Sequence, residues 1–304
     1  MPVIVNDQYP VKSMLEQRQV RCLTRSEAQA EASERRPLRV GIINLMPVAE
    51  AYEFDFLLAL GQTPEYIEPV WIRLQSHDYK SSNRNNLDTW YVSFDEAGRK
   101  RRLDALVLTG APVEDIPFEQ IRYWNEVREI LEFAKNNIET TLGLCWGALA
   151  LAYIAGVDKV NYSKKLFGVF ETANLKPQHL IMGTTNKTFW CPQSRHAGIP
   201  DHALEAGHRA GVINLLAHSE ETGYVIFETS DDRFLMHMGH PEYNSNRLVE
   251  EAIRDRQLGR VDVEPPKNFD LDHPVNSWRT HGTAFFNRWA TRIQQKAQAS
   301  GERA

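Results

Sequence analysis

The sequence predicts an α/β fold with a doubly wound parallel sheet. Continuous apolar runs such as LRVGIINL have the pattern of strands that are buried on both faces. Segments of helical length follow these runs across short links, and this alternation predicts a parallel sheet covered by helices. The chain has 304 residues, of which 42% are hydrophobic, so it is long enough to bury such a sheet.

The first half of the chain supplies the alternating elements. Four segments have the apolar or β-rich composition of strands: 38–45, 66–74, 103–110 and 139–144. Helices are predicted for 49–61, for 117–137 and for the segment that follows Cys145. Gly61 gives the first helix a stop, and the apolar residues of the second recur at three-to-four spacing. The polar segment 76–86 is predicted to be a loop.

The second half is richer in short strands than the first. The β-rich segments are LFGVFET, TTNKTFW, GVINLLAH, GYVIFET and RFLMHMG. Two helices, at 245–258 and 279–297, close the chain. We therefore expect a lead-in segment over 1–36, a single α/β domain over 37–297 with additional short strands and C-terminal helices, and a frayed tail over 298–304.

Composition argues against several classes of protein. The formal charge is −5 and the pI is about 6.1, so no broad basic field favours nucleic acid. No apolar run reaches the roughly 18 residues of a membrane span, and no secretory signal pattern opens the chain. The three cysteines are too few for a disulfide framework and favour a reducing, cytoplasmic location. No His/Cys cluster has metal-ligand spacing, so we expect no metal.

Cys145 stands where a buried strand meets a helix, in the stretch LGLCWGALA. The small residues Gly143 and Gly147 leave room for a side chain on a sharp strand-to-helix turn. A helix N-terminus favours a thiolate there, and the backbone N–H of Trp146 is placed to bind a developing oxyanion. From these residues alone, a nucleophile and a buried structural cysteine are equally good interpretations.

The stretch MGHPEY supplies a base and a carboxylate. His240 can take a proton from a thiol or a hydroxyl near neutral pH, and Glu242 could orient its ring as in a catalytic triad. An isolated His-x-Glu is more often part of a surface loop. Together with the strand–Cys–helix turn, the pair favours a Cys145–His240–Glu242 site.

These stretches resemble the class I glutamine amidotransferase-like superfamily, and within it the homoserine O-acyltransferase family of methionine biosynthesis. The resemblance covers nearly the whole chain. It rests on RPLRVGIINLMP, LTGAPVEDIPFEQIRYW, LCWGALA, KLFGVFE, SRH, GHPEY and SWRTHG, in that order. It implies a flavodoxin-like sheet, a cytoplasmic homodimer, and acyl-CoA as a co-substrate without a permanently bound cofactor.

The resemblance also implies a mechanism. Cys145 would attack acyl-CoA and hold the acyl group as a thioester, while His240, oriented by Glu242, would deprotonate the hydroxyl of L-homoserine. Lys165 and Ser194 would lie at the amino-acid substrate, and Arg254 would bind its carboxylate. From the residues alone, the last three are as well explained as a solvated lysine, a loop serine and a helix-face arginine.

Glu114 bears on the acyl group. In this family a glycine at the equivalent position accompanies succinyl transfer and a glutamate accompanies acetyl transfer, so the resemblance implies acetyl-CoA. A glutamate would repel the distal carboxylate of a succinyl group. The other interpretation is an exposed acidic residue in the loop VEDIPFE.

Three positions depart from the family pattern. Ala49 replaces a usual lysine, Gln193 a usual histidine and Asn244 a usual acidic residue. The departures leave L-serine open as the acceptor and succinyl-CoA open as the donor. A Cys-His-Glu amidotransferase or hydrolase, and a non-catalytic binding protein on the same scaffold, are the hypotheses of other classes.

Overall fold

A computed structural model describes residues 2–31, 36–184 and 187–301. The chain forms two compact units. The first comprises 1–109, 122–141 and 286–304, and the second comprises 110–121 and 142–285. The single domain predicted over 37–297 stays a prediction. The candidate site residues named above, apart from Ala49, all belong to the second unit.

The first unit contains the predicted parallel sheet. Its strands are β1 (Val3–Ile4), β2 (Cys22–Leu23), β3 (Leu38–Ile43), β4 (Ile67–Ile72), β5 (Tyr91–Val92) and β6 (Ala105–Leu108). They pair in the order β2-β1-β4-β3-β6, with β5 on β4, and every pairing is parallel. The central strands β3 and β6 are apolar and almost wholly buried, which is why they read as uninterrupted apolar runs.

Helices flank this sheet in sequence. They are α1 (Lys12–Gln17), α2 (Arg25–Glu31), α3 (Ala49–Leu60), α4 (Arg84–Trp90) and α5 (Trp124–Asn137). The prediction of one helix over 117–137 is wrong. A 3₁₀ turn at Phe118–Gln120 stops at Ile121, whose extended backbone (φ −76°, ψ 121°) breaks the helical path before α5 begins. The predicted loop 76–86 is also too long, because the Asn83 side chain caps α4.

The second unit holds an antiparallel sheet. Its strands are β8 (Val160–Asn174), β9 (Thr188–Gly198), β10 (Ile213–Ser219), β11 (Gly223–Thr229) and β12 (Phe234–His237), in the order β12-β11-β10-β8-β9. Strand β7 (Thr140–Leu144) begins in the first unit and ends in the second, and it leads into α6 (Trp146–Ile154). Helices α7 (Asp201–Arg209) and α8 (Ser245–Gln257) complete the unit. The predicted strand TTNKTFW begins only at Thr188, and residues 185–186 lie outside the described residues.

The two ends of the chain carry more regular structure than the sequence indicated. The lead-in segment contributes β1, α1, β2 and α2, and β1 hydrogen-bonds to β4. The C-terminal helix α9 (Arg279–Gly301) runs through most of the predicted tail, and residues 302–304 lie outside the described residues. None of the helices in the described part of the chain is long and apolar enough to cross a membrane.

Candidate active site

Cys145 occupies a sharp turn between β7 and α6. Its backbone has φ 52° and ψ −110°, a conformation that side-chain-bearing residues seldom adopt. The Cys145 N–H donates to the carbonyl of His237 at 2.9 Å, which ties the turn to the end of β12. A Cβ on Gly143 would lie 2.5 Å from the carbonyl oxygen of Gly147, so only glycine allows β7 and α6 to approach so closely. The Trp146 backbone opens the helix directly beside the thiol.

His240 and Glu242 form a buried pair just after β12. The Nδ1 atom of His240 lies 2.8 Å from the Oε1 atom of Glu242, and the backbone N–H of His240 donates to the Pro192 carbonyl at 3.0 Å. The imidazole stacks on the ring of Tyr243 with 4.0 Å between centroids. His240 is only 2% exposed and Glu242 only 4%, so neither belongs to a surface loop. Glu242 and Tyr243 thus fix the orientation of the ring.

The pKa of His240 depends on its interaction with the Cys145 thiol. Burial alone would lower the pKa of the ring, because it disfavours the charged form. The Glu242 carboxylate and the Cys145 thiol, which also hydrogen-bonds to the ring, outweigh burial and raise the pKa of His240 from 6.5 to about 10. The structure thus brings together the sulfur, the imidazole and the carboxylate that the sequence predicted as a catalytic set.

A second buried cluster centres on Glu251 of α8, which the sequence analysis missed. Its carboxylate accepts from the Ser194 hydroxyl, from the Tyr243 hydroxyl at 2.9 Å and from the Lys165 ammonium at 3.5 Å. Burial would raise the pKa of this carboxyl, but the charges of Lys165 and Arg254 together with the Ser194 bond lower it to about 2. Glu251 is therefore a permanent anion in this cluster.

Lys165 and Arg254 meet at a second acid of the same helix. The Lys165 ammonium donates to the Asp255 carboxylate at 2.6 Å, and the guanidinium of Arg254 donates to the other oxygen of Asp255 at 3.0 Å. The Lys165 side chain is 2% exposed, so it is not a solvated lysine, whereas that of Arg254 is 45% exposed. Spacing could have found the acids, since Glu251 and Asp255 are four apart and share one helix face.

Ser194 links the two clusters. It lies on β9, not in a loop, and its side chain donates to Glu251. The Cys145 Sγ atom lies 3.8 Å from the Ser194 carbonyl oxygen. Ser194, one of the residues predicted for substrate binding, therefore lies beside the predicted nucleophile.

Glu114 is a buried residue rather than an exposed loop acid. Its Oε1 atom accepts from the backbone N–H of His196 at 3.2 Å and lies 3.4 Å from the Nδ1 atom of the same residue. His196 is two residues beyond Ser194 on β9. Glu114 therefore borders the same strand that passes the Cys145 sulfur.

The departures from the family pattern have structural partners. Gln193 is buried, accepts from the Arg195 guanidinium at 2.9 Å and donates to the Cys191 sulfur at 3.5 Å. Asn244 caps α8 by accepting from the Asn246 N–H at 2.8 Å. Ala49, in the first unit, begins α3 and is fully buried. Gln193 and Asn244 are thus engaged with the protein's own backbone and side chains.

The other two cysteines have thiols with a raised pKa. Burial raises the pKa of Cys191 well above its usual range and that of Cys22 to about 11. All three cysteines are free thiols. Within the described ranges, no group of three or more His, Cys, Asp or Glu side chains could hold a metal ion, and the absence of a metal requirement stays a prediction.

Comparison with solved structures places the fold. A glutamine amidotransferase from Thermotoga maritima superposes with a TM-score of 0.55 at 12% identity, covering 86% of this chain and 99% of the other. A glutamine amidotransferase from Methylobacillus flagellatus superposes with a TM-score of 0.50 at 15% identity, covering 86% and 94%. With its cysteine elbow and buried His–Glu pair, the protein has the class I glutamine amidotransferase-like fold.

Sequence comparison then gives the family. The family model described as homoserine O-succinyltransferase matches residues 2–299, and the chain belongs to this family. Its relatives include a homoserine O-acetyltransferase of Petrotoga mobilis, 37% identical over 95% of this chain and 93% of the relative. Another, of Bacillus subtilis, carries the same name and is 34% identical over 95% of both chains. The resemblance recognised in the sequence is confirmed.

Proposed function

We propose that the protein is an acyltransferase of methionine biosynthesis that moves an acetyl group from acetyl-CoA to the hydroxyl of L-homoserine. Family membership and the names of the relatives support acyl transfer to homoserine and leave the acyl donor open. The observation that carries the proposal is the buried Cys145–His240–Glu242 set at the strand-to-helix turn. Acyl-CoA enters as a co-substrate, with no permanently bound cofactor.

The chemistry divides into two half-reactions on Cys145. Its thiol gives a proton to His240 and the sulfur attacks the carbonyl carbon of the CoA thioester. A new carbon–sulfur bond forms, the bond to the CoA sulfur breaks, and His240 returns the proton to CoA. His240 then takes the proton of the homoserine hydroxyl, whose oxygen attacks the acyl carbon, and the proton ends on the released Cys145 sulfur.

The environment of His240 suits both steps. In the free enzyme, Glu242 and Cys145 raise the pKa of His240, so the ring readily holds the proton of the thiol. Acylation removes the negative charge that the sulfur can carry, and with it one of the two causes of the raised pKa. The ring becomes easier to deprotonate at the point where the mechanism needs a base. The backbone N–H of Trp146 serves as the oxyanion donor.

The acceptor would bind at the Glu251 cluster. An amino-acid substrate carries an ammonium and a carboxylate, and the cluster offers one group for each. The exposed guanidinium of Arg254 suits the carboxylate, and the permanent anion of Glu251 suits the ammonium. Lys165 and Ser194 hold Glu251 in place. L-Serine, which is one methylene shorter, is the competing acceptor.

Glu114 favours acetyl over succinyl as the transferred group. The Glu114 carboxylate contacts His196, which lies two residues along β9 from Ser194, and the Ser194 carbonyl oxygen lies 3.8 Å from the Cys145 sulfur. A succinyl group on Cys145 would direct its distal carboxylate into this region. Two like charges about 7 Å apart repel by roughly 2 kcal/mol at an effective dielectric constant of about 20.

The test measures CoA release with acetyl-CoA or succinyl-CoA, each with L-homoserine or L-serine. We expect the highest kcat/KM for acetyl-CoA with L-homoserine, and an acetyl adduct on the Cys145 peptide when the acceptor is left out. The Cys145→Ala variant should lose both, while the control Cys22→Ala should keep both. Ammonia release from glutamine without CoA turnover would refute the proposal in favour of an amidotransferase or hydrolase.

Location and assembly stay predictions. We propose a cytoplasmic homodimer, following the family resemblance and the sparse free cysteines. Light scattering at working concentration measures the mass in solution, and the mass of one 34.9 kDa chain would contradict the dimer.

A further inference from the structure

The Glu114 carboxylate contacts His196 of β9. It contacts both the backbone N–H and the Nδ1 atom of His196. The side chains of Glu114 and His196 are 11% and 14% exposed. The position of this carboxylate therefore depends on where the backbone and the ring of His196 lie.

The other side of the ring faces an arginine and an aspartate. The Nη2 atom of Arg260 lies 3.0 Å from the Nε2 atom of His196. Asp262 holds Arg260 with two bonds, of 2.8 Å and 2.6 Å, and its Oδ2 atom lies 3.1 Å from the same ring nitrogen. Arg260 and Asp262 thus form a bidentate salt bridge that contacts the His196 ring.

Contacts on both sides hold the ring of His196. On one side the Nε2 atom faces the guanidinium of Arg260, which can only donate, and the carboxylate of Asp262, which can only accept. On the other side the Nδ1 atom faces the Glu114 carboxylate. The ring is therefore fixed between Glu114 and the Arg260–Asp262 pair.

The Arg260–Asp262 segment is anchored to the substrate cluster. The carbonyl of Asp262 accepts from the backbone N–H of Lys165 at 2.9 Å, and the Arg260 N–H donates to the Asp255 carbonyl at 3.1 Å. The segment that follows α8 is therefore held against β8 at one end and α8 at the other. The backbone of Arg260 is therefore held in place, although its side chain is 41% exposed.

We propose that His196, held in place by Arg260 and Asp262, positions Glu114 as the anion that excludes acyl groups bearing a second carboxylate. The proposal rests on the acyl-transfer function proposed above. It assigns donor specificity to a chain of four residues, in which Glu114 faces the acyl group and the other three act through it. His196, Arg260 and Asp262 are positioning residues.

The first test compares kcat/KM for acetyl-CoA and succinyl-CoA with L-homoserine. We expect Arg260→Gln and His196→Leu each to lower the acetyl-to-succinyl ratio roughly tenfold to a hundredfold, which is the range expected when the repulsion of a nearby like charge is lost. Arg256→Gln, an exposed arginine of α8, is the matched control and should leave the ratio unchanged. Combining Arg260→Gln with Glu114→Gln should lower the ratio no further than Glu114→Gln alone.

The second test reads the contacts of the ring without any turnover. In the ¹⁵N spectrum of the His196 ring at neutral pH, we expect Arg260→Gln and Glu114→Gln each to shift the ring resonances, and Arg256→Gln to leave them in place. Ring resonances that stay in place in Arg260→Gln, or an unchanged donor ratio in both Arg260→Gln and His196→Leu, would overturn the proposal. If the wild-type enzyme itself uses neither donor, the proposed function fails, and the ring spectrum still decides whether Arg260 and Glu114 hold the ring.

Discussion

Replacing Glu242 by glutamine is the sharpest test of the catalytic set. The amide keeps the size of the side chain and an oxygen that can accept from the Nδ1 atom of His240, which lies 2.8 Å from the carboxylate. It removes the negative charge, which is the leading cause that raises the pKa of His240 against burial. The Glu242→Gln variant therefore separates the charge of Glu242 from its shape.

The structure sets the scale of the effect. The difference between the ordinary pKa of 6.5 and the value of about 10 in the folded protein corresponds to about 5 kcal/mol in favour of the imidazolium. Glu242 and Cys145 share this stabilisation, so the variant should lose a large part of it. Because the ring would then hold the thiol proton poorly, we expect kcat to fall by roughly 10²- to 10⁴-fold.

The pH dependence of stability gives an independent measurement. A histidine with a raised pKa contributes stability that is fully present below pH 6.5 and is lost as the pH rises through about 10. Thermal unfolding should therefore show a larger loss of Tm for Glu242→Gln near pH 6 than near pH 10. The control is Glu250→Gln on α8, whose side chain is 62% exposed and which should leave kcat and Tm unchanged.

Two results would refute this reasoning. The first is a kcat within about threefold of wild type, because the loss of a charge that assists the proton transfers should lower kcat by more than that. The second is an equal loss of Tm at both pH values, which would mean that Glu242 acts only through packing and hydrogen bonding. Either outcome would mean that the raised pKa of His240 does not contribute to the function of the site.

Two substitutions and one labelling experiment test the surroundings of the site. Gly143→Ala places a Cβ 2.5 Å from a carbonyl oxygen of α6, so we expect about 1–3 kcal/mol of destabilisation in chemical unfolding and a loss of activity that exceeds the loss of stability. Lys165→Met removes the buried ammonium that pairs with the carboxylates of Glu251 and Asp255, and it should cost about 3–5 kcal/mol. Because the pKa of Glu251 would rise from about 2, acid unfolding of that variant should begin at a higher pH than in the wild type. Acid unfolding at the same pH would contradict the ion pair between Lys165 and Glu251. Iodoacetamide at neutral pH should modify Cys145 and spare Cys191, whose pKa is raised by burial, and peptide mass spectrometry that finds Cys191 labelled first would exclude this assignment.

Much of the fold was predictable because its strands are buried on both faces. Strand β3 (Leu38–Ile43) lies within the predicted 38–45, and β11 coincides with GYVIFET. The break at Ile121 was not predictable, because the apolar spacing continues across it and the extended backbone there comes from tertiary packing. The lead-in strands β1 and β2 are only two residues long, too short for a periodic pattern.

The candidate site was predictable where motifs are contiguous. The strand–Cys–helix turn and the His-x-Glu pair each lie within a few residues, and the family resemblance supplied Lys165 and Ser194. The partners of these residues were missed because they come from distant parts of the chain. Glu251 meets Ser194 across 57 residues and His196 meets Glu114 across 82, and a single sequence gives no spacing rule for such contacts.

The positive φ of Cys145 has a consequence for how this enzyme can be lost. A side chain held in such a conformation costs about 1–3 kcal/mol, and glycine would adopt it without strain. A Cys145→Gly protein should therefore unfold at a higher temperature than Cys145→Ala, although neither can form a thioester. In a lineage that no longer needs the reaction, selection for stability alone would favour glycine at position 145. An inactive descendant should therefore carry glycine there and unfold at a higher temperature than one that carries alanine.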